Sequence, residues 1–341
     1  MKVIHSHSAH DALPAGIQLL QHEGIEYDTR NGPALVYPTP VTTVYSNPIR
    51  RCVMWPERDT NIAFLIYEAL WMLAGRNSVE NLTRYVKDFN KYSDDKQILH
   101  GAYGYRWRFA FGFDQLAVII SHLKDNPRDR RNVLQIWDAE LDLKGYSLDI
   151  PCNDTVTFQI DNNNRLNMVV FCRSNDIIWG TYFANAFHFG MLLEYMAKNI
   201  GCKMGTYSQI SVNYHAYLDT LKPLLHLGEK ADDIVPQITT VQGETITMPD
   251  ELLDENIAEI LIHADTGFEL PRIYTSDDPW IDTIYKILRA HHAWRTIDKT
   301  NGENFKESSH IINLADPTID WVILMKNWLN KRHKAFLAVG V

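Results

Sequence analysis

Apolar residues recur at helical spacing from Ile62 to Leu73, which predicts a helix stopped at Gly75, a good left-handed cap. From Thr181 to Asn199 the pattern is apolar nearly all round, which predicts the longest helix and places it in the core. Shorter helices are predicted over residues 15–24, Val79–Phe89 and Phe113–Lys124, and two more over Ser276–Trp294 and Pro317–Lys331. Alternating or β-rich runs predict strands over Val133–Trp137, Thr155–Ile160, Arg165–Cys172 and Thr206–Val212. Ala34 to Thr43 reads as a further strand, confined to an edge by Pro38 and Pro40, which cannot donate to a ladder. Residues 93–105 are polar and turn-rich, and 228–270 read as irregular and acidic. Mixed strands with segregated helices predict an α+β fold.

Composition narrows this little: 341 residues, 45% apolar and 22% charged, are ordinary for a water-soluble protein with a large core. No linker, low-complexity tract or repeat divides the chain, so one large domain is expected. The net charge of −9 argues against direct binding to DNA, which needs a basic face to displace counterions. No apolar run is long enough to cross a membrane and no signal peptide is apparent, so a cytoplasmic setting with free thiols is expected. Cys52, Cys152, Cys172 and Cys202 show no metal-ligand spacing. Three read as core cysteines.

Cys152 differs from them, because it follows Pro151 and precedes the polar Asn153 and Asp154. Twenty-one residues later comes Arg173, where a neighbouring strand would return a cation able to lower the thiol's pKa. A structural and a nucleophilic cysteine both remain open. Arg30 beside Gly32, and Arg130-Arg131, read either as solvated basic surface or as planar forks for a phosphomonoester. Glu68 lies among apolar residues, either at its helix's edge or buried, where its pKa would rise toward the range useful for proton transfer. His215 and Tyr217 stand two apart and so share a strand face, as a core pair or as two groups offered to a sugar hydroxyl. The remaining histidines have no recurring ligand spacing, and no metal is assigned.

Taken together, these segments resemble the thymidylate synthase and pyrimidine-nucleotide hydroxymethylase family. Tyr67-Glu68-Ala69-Leu70-Trp71-Met72-Leu73-Ala74-Gly75 is similar to its Glu-Leu-Leu-Trp-Phe-Leu-x-Gly helix. His100 to Arg108 resembles its Gly-Pro-x-Tyr-Gly-x-x-Trp-Arg loop, and Asp129-Arg130-Arg131 followed by Trp137 its double-arginine strand. Pro151-Cys152, Arg173-Ser174-Asn175-Asp176 and His215-Ala216-Tyr217 resemble its nucleophile, Arg-Ser-x-Asp and His-x-Tyr motifs. The matches run in order from about 30 to 220, and nothing comparable covers 221–341.

The resemblance implies a thymidylate-synthase-like mixed sheet packed with helices, dimeric through the sheet face. Residues 1–225 would form the catalytic core, and 226–341 a divergent helical part of the same domain. It implies that Cys152 attacks C6 of a pyrimidine deoxynucleotide monophosphate and that C5 takes the methylene of 5,10-methylenetetrahydrofolate. Glu68 and Tyr103 would manage protons. Arg30, Arg173 and Ser174 would hold the nucleotide, joined by Arg130 and Arg131 of a second subunit. His215 and Tyr217 would take the 3′-hydroxyl, and Asp176 and Trp71 the folate.

The family's base-reading residue closes a Gly-x-Pro-Phe-Asn run, and here the text is Gly180-Thr181-Tyr182-Phe183-Ala184-Asn185. Counting from the glycine gives Ala184; counting back from the helix gives Asn185, with one residue inserted in the turn. A loop tolerates insertion better than a helix, so Asn185, and uracil, is the reading. Several departures from the family also stand out. Asn153 replaces its histidine, Val212-Asn213 its Gly-Asp, and Phe89-Asn90-Lys91-Tyr92 its tryptophan-rich wall, and the short closing tail is not evident. Water exclusion decides between hydride and water as the quencher of the methylene, so these losses favour hydroxymethylation over synthesis of dTMP, and Asn185 favours dUMP over a cytidylate, which Ala184 at the reading position would instead admit. Family members of this kind serve DNA modification in bacterial viruses, which implies the host cytoplasm.

Overall fold

In a computed structural model of the chain, which describes residues 1–231, 243, 245–247, 250–269, 278–299 and 301–339, one mixed sheet organises the molecule. Its strands are β1 (Lys2–Ser6), β2 (Ile25–Thr29), β3 (Gly32–Val36), β4 (Val41–Tyr45), β5 (Val133–Gln135), β6 (Asn153–Ile160), β7 (Arg165–Asp176) and β8 (Lys203–Tyr217). They lie in the order β1-β4-β8-β7-β6-β5, and β3 joins the far end of β8 and carries β2. The central β7 and β8 are parallel, whereas β6 runs antiparallel to β7.

Alternation in β7 decides which face is covered. Leu166, Met168, Val170 and Cys172 are buried beneath helices, while Val169 and Phe171 on the other face are exposed. Val133 in β5 is exposed on that same open face, across Thr157 of β6 from Val169. The single strand predicted over Ala34–Thr43 is two strands, because Pro38 and Pro40 occupy the connection between β3 and β4. There they cost no ladder bond, and β4 lies inside the sheet between β1 and β8 rather than at an edge.

The helices in chain order are α1 (Ala9–Glu23), α2 (Ile62–Leu73), α3 (Tyr103–Tyr105), α4 (Gln115–Asp125), α5 (Ala139–Lys144), α6 (Asn185–Ile200), α7 (Leu218–Leu221), α8 (Leu253–Asp265), α9 (Pro279–Thr296), α10 (Glu303–Asn313) and α11 (Asp320–Val339). The first starts earlier than predicted, capped by the Ser8 hydroxyl, and has Pro14 inside it. No helix spans Val79–Phe89. Short 3₁₀ turns at Leu82–Arg84 and Phe89–Tyr92 stand there instead, separated by Asp88 at φ 60°. Asp88 lies outside helical geometry, and the start of the segment is tied to 97–99 by bonds from Val79 N–H to Gln97 O (2.8 Å) and from Leu99 N–H to Asn77 O (2.9 Å). The stretch predicted as irregular contains α8, whose opening Asp254 and Glu255 suit a helix N-terminus. The α10 helix was not predicted.

The longest predicted helix begins differently from its pattern. Ile177–Ala184 is a π-helix, and α6 proper starts at Asn185. With α2, the buried α6 forms the centre of one hydrophobic cluster that also takes in Trp280 of α9 and Trp321 of α11. No described helix is long and apolar enough to cross a membrane.

Candidate active site

Cys152 sits just ahead of β6, and its carbonyl accepts the Arg173 N–H of β7 at 2.9 Å. The Arg173 guanidinium folds back onto the same turn, donating from Nε to Pro151 O (2.9 Å) and from a terminal nitrogen to Ile150 O (3.2 Å), and stacks 5.5 Å from the Trp137 ring centroid. A cation is thus fixed beside a partly exposed thiol, as the spacing suggested. Its effect is smaller than expected. Burial pushes the Cys152 thiol above its ordinary pKa; Arg173 and then Arg30 oppose this, while Asp149 and Asp154 add to it. Asp154 itself is pushed up to about 6 by burial. Cys52 and Cys172 are buried, Cys202 is half-buried, and all four thiols are free.

Tyr103 approaches from the other side. Its hydroxyl accepts the Cys152 N–H at 3.4 Å, and its own proton is held tightly by burial. The neighbouring Gly104 lets this turn lie directly on α2, since a Cβ there would come 1.9 Å from the Met72 carbonyl oxygen. On α2, Glu68 is half-buried, with 17% of its side chain exposed. Burial, then Asp149, pushes its pKa up to about 8. His188 Nε2 lies 3.3 Å from Glu68 Oε2, outside hydrogen-bonding geometry, and burial pushes that imidazole down to about 3. Burial thus favours the neutral form of both groups. His188 escaped sequence reading; its signal is the three-residue step from Asn185, which puts both on one face of α6.

Asn185 enters the same region as one link in a buried chain of amides. Asn153 Nδ2 donates to Asn185 Oδ1 (3.2 Å), Asn185 Nδ2 to Asn175 Oδ1 (3.0 Å), and Asn175 Nδ2 to Ser211 Oγ (2.9 Å). A π-turn closes i→i+5 bonds and so holds one more residue than an α-turn. Ile177–Ala184 is such a turn, long enough for the extra residue that the Asn185 reading requires, and it is Asn185 that joins the amide chain. Gly180 leaves room for it, because a Cβ there would stand 2.5 Å from Asn175 Oδ1.

At the carboxyl ends of β7 and β8, Ser174 pairs with Asn213 and Asp176 with His215. His215 and Tyr217 share a face with their rings edge to face at 5.2 Å, and Asn31 beside Arg30 donates to the Tyr217 hydroxyl at 3.2 Å. Asp176 caps the π-helix through Oδ1, which accepts from Ile178 N–H (2.6 Å) and Trp179 N–H (3.0 Å). Its Oδ2 is buried and makes no hydrogen bond of good geometry among the described residues, with the Tyr217 backbone N–H nearby helping to hold the carboxylate. Burial pushes this carboxyl up against the pull of those amides and of His215.

Arg130 and Arg131 are not brought to Cys152. Arg131 pairs with Asp129 at 2.7 Å, and Arg130 lines a hollow of about 500 Å³ beside Thr157–Ile160. At about 3.3 Å per strand residue, that end of β6 is roughly 16 Å or more from the thiol. Trp71 is also withdrawn: it is 3% exposed and its indole N–H donates to Ser78 O at 3.1 Å. Phe89 and Tyr92 stack edge to face at 5.5 Å, with Tyr92 exposed. A cleft of about 620 Å³ beside α11, lined in part by Trp55, Asp59 and Lys331, contains none of these groups, and the chemistry is located by the side chains instead. The described residues contain no cluster able to hold a metal ion.

A thymidylate synthase family profile matches residues 18–258. Over 342 aligned residues the chain is 40% identical to a deoxyuridylate hydroxymethyltransferase of Pseudomonas phage M6, covering 99% of this chain and 96% of that one. A deoxyuridylate hydroxymethyltransferase of Bacillus phage SP01 is 35% identical over 64% of this chain and 59% of its own length, and a thymidylate synthase of Haloferax volcanii 27% identical over 56% and 60%. The protein is a one-carbon transferase and belongs to the thymidylate synthase family.

Proposed function

We propose that the protein hydroxymethylates C5 of dUMP, using 5,10-methylenetetrahydrofolate and water. The observation that carries this reading is the Asn185 amide. With one hydrogen and one lone pair spent in the chain of amides, it keeps one donor and one acceptor. Those match O4 and N3–H of uracil. The near full-length similarity to a phage enzyme named for this reaction supports the same substrate.

In this reading Cys152 Sγ bonds to C6 of the base, which makes C5 nucleophilic, with Arg173 held ready beside the sulfur. Arg30 and Ser174 take the phosphate with Arg173, and His215 and Tyr217 the 3′-hydroxyl. The folate, when bound, supplies a one-carbon unit at the methylene level. Asp176 fits it, because a buried carboxylate oxygen without a well-formed hydrogen bond suits a ring N–H. Trp71 would serve that end only as packing behind it. Tyr103 assists removal of the C5 proton. Glu68, its pKa raised to about 8, holds a proton that it can donate to the base as Cys152 adds to C6; once ionised it can accept one from the water that adds to the exocyclic methylene and pass it to Cys152 as the thiol leaves. The exposed Lys91 and Tyr92, in place of a tryptophan wall, leave that carbon open to water.

Arg130 and Arg131 would complete the phosphate site of a second copy, docked through the open sheet face where Val133, Val169 and Phe171 are exposed. Residues 226–341 would remain part of the same domain, and the enzyme would act in the cytoplasm of an infected host, on nucleotides for modified viral DNA. Incubation with dUMP and methylenetetrahydrofolate in oxygen-18 water tests the reaction. Labelled 5-hydroxymethyl-dUMP with released tetrahydrofolate is expected. Production of dTMP with equal dihydrofolate overturns the proposal.

A further inference from the structure

One charged side chain near this site has no part in the chemistry above. Arg58 ends a 3₁₀ turn (Pro56–Arg58) inserted between Cys52 and α2, and it is 7% exposed. Its Nε donates to Ile178 O at 3.2 Å, and its guanidinium carbon lies 3.6 Å from the Phe183 ring centroid and 4.4 Å from that of Trp179. All three partners belong to the π-helix that Asp176 caps. Two planar contacts and one hydrogen bond fix the fork in place.

Fixing it leaves something unsatisfied. One terminal nitrogen of Arg58 is buried without a partner among the described residues, and Oδ2 of Asp176 without a hydrogen bond of good geometry. Burial pushes the Arg58 guanidinium down to about 10, and Asp176 is the carboxylate that most opposes this. A buried donor packed on the π-helix and a buried acceptor at its cap, both left open, are costly unless a bound group supplies their complements.

The turn is also held from behind. Asp59, at φ 49°, is gripped by Arg332 (3.1 and 3.3 Å) and Lys331 (3.5 Å) of α11.

Resting on the folate-dependent reading, we infer that Arg58 and Asp176 form a recognition pair for the lactam edge of the co-substrate's bicyclic ring. Arg58 donates to the ring carbonyl while Asp176 accepts from the adjacent N–H groups. The clamp from α11 positions Arg58 for this.

Binding of tetrahydrofolate in the presence of dUMP, followed by calorimetry, tests the pair, with dUMP alone measured in parallel. Arg58→Gln should weaken tetrahydrofolate by about 10- to 100-fold, the worth of a hydrogen bond to a charged group, and leave dUMP affinity unchanged. Arg58→Lys, which keeps the charge but not the fork, should recover part of the loss, and Arg332→Ala should show a smaller one. A 2,4-diamino folate analogue, which lacks the carbonyl, should bind wild type more weakly than tetrahydrofolate and lose that handicap in Arg58→Gln. Unchanged tetrahydrofolate affinity in Arg58→Gln, or equal loss of both ligands in Arg58→Gln and Arg58→Lys, overturns the assignment. If the wild type binds dUMP but no tetrahydrofolate, the folate-dependent function itself falls.

Discussion

Two groups at the centre of the site hold protons more tightly than they would in water: the Cys152 thiol and the Glu68 carboxyl, both through burial. For Cys152 this means that formation of the thiolate depends on Arg173, and an alkoxide in its place would be harder still to form. Cys152→Ser should therefore reduce turnover by at least about 10³-fold while calorimetry still detects dUMP binding. Retained activity, or inactivation by Cys172→Ser instead, would refute the assignment. For Glu68 the consequence reaches stability. The carboxyl ionises near 4.5 when exposed and about 8 when folded, so its contribution to stability is complete below pH 4.5 and is lost as pH rises through 8. Glu68→Gln keeps the shape without titrating. Its melting temperature relative to wild type should be higher at about pH 8.5 than at about pH 5, and a constant difference would contradict the buried, protonated state. Glu68 could be picked out from the sequence, but its burial could not, because helical periodicity says where a stripe lies and not how deep its margin sinks.

Among the elements, β6 and β7 were the most legible. Strict alternation fixes their faces, and antiparallel pairing then requires that Arg173 return beside Cys152. Where the reading failed, local pattern was overruled: Val79–Phe89 is broken by the left-handed Asp88 into two short turns, and the acidic 253–265 became helix by packing its apolar stripe. The π-helix is a middle case. Its extra residue was visible as an insertion, but only the structure puts Asn185 in line with Asn153. Aspartate at 185 would accept and not donate, which suits the amino group of cytosine. Asn185→Asp should thus lower kcat/KM for dUMP and raise it for dCMP; the same switch from Ala184→Asp alone would show that the insertion lies elsewhere.

On the scale of the whole molecule, the sheet leaves one face open, and Arg130 and Arg131 lie far from Cys152, which is the arrangement the proposed shared site would need. Motifs announced those arginines; the distance between them and the thiol could not be read from a linear order. Arg130→Ala/Arg131→Ala and Cys152→Ala proteins, each inactive alone, should regain activity on mixing and subunit exchange, since one hybrid site takes its thiol and its arginines from intact sources. A monomer by light scattering, or no recovery, would exclude the shared site. The C-terminal helices carried no family motif, yet α11 grips Asp59 and shares the buried cluster of α2, so their part in the fold was written in ordinary apolar periodicity.

The row of amides from Asn153 to Ser211 behaves like a set of arrows laid head to tail. Each Nδ2 points the same way, so the direction of the Asn185 amide is inherited from its neighbours. Asn153→Asp would leave nothing to donate to Asn185 Oδ1 and would favour the turned amide, exchanging the donor and acceptor offered to the base. Its ratio of dUMP to dCMP turnover should fall although the reading residue is untouched. What the enzyme accepts could then drift through a lineage by changes at a position that need never meet the substrate's edge.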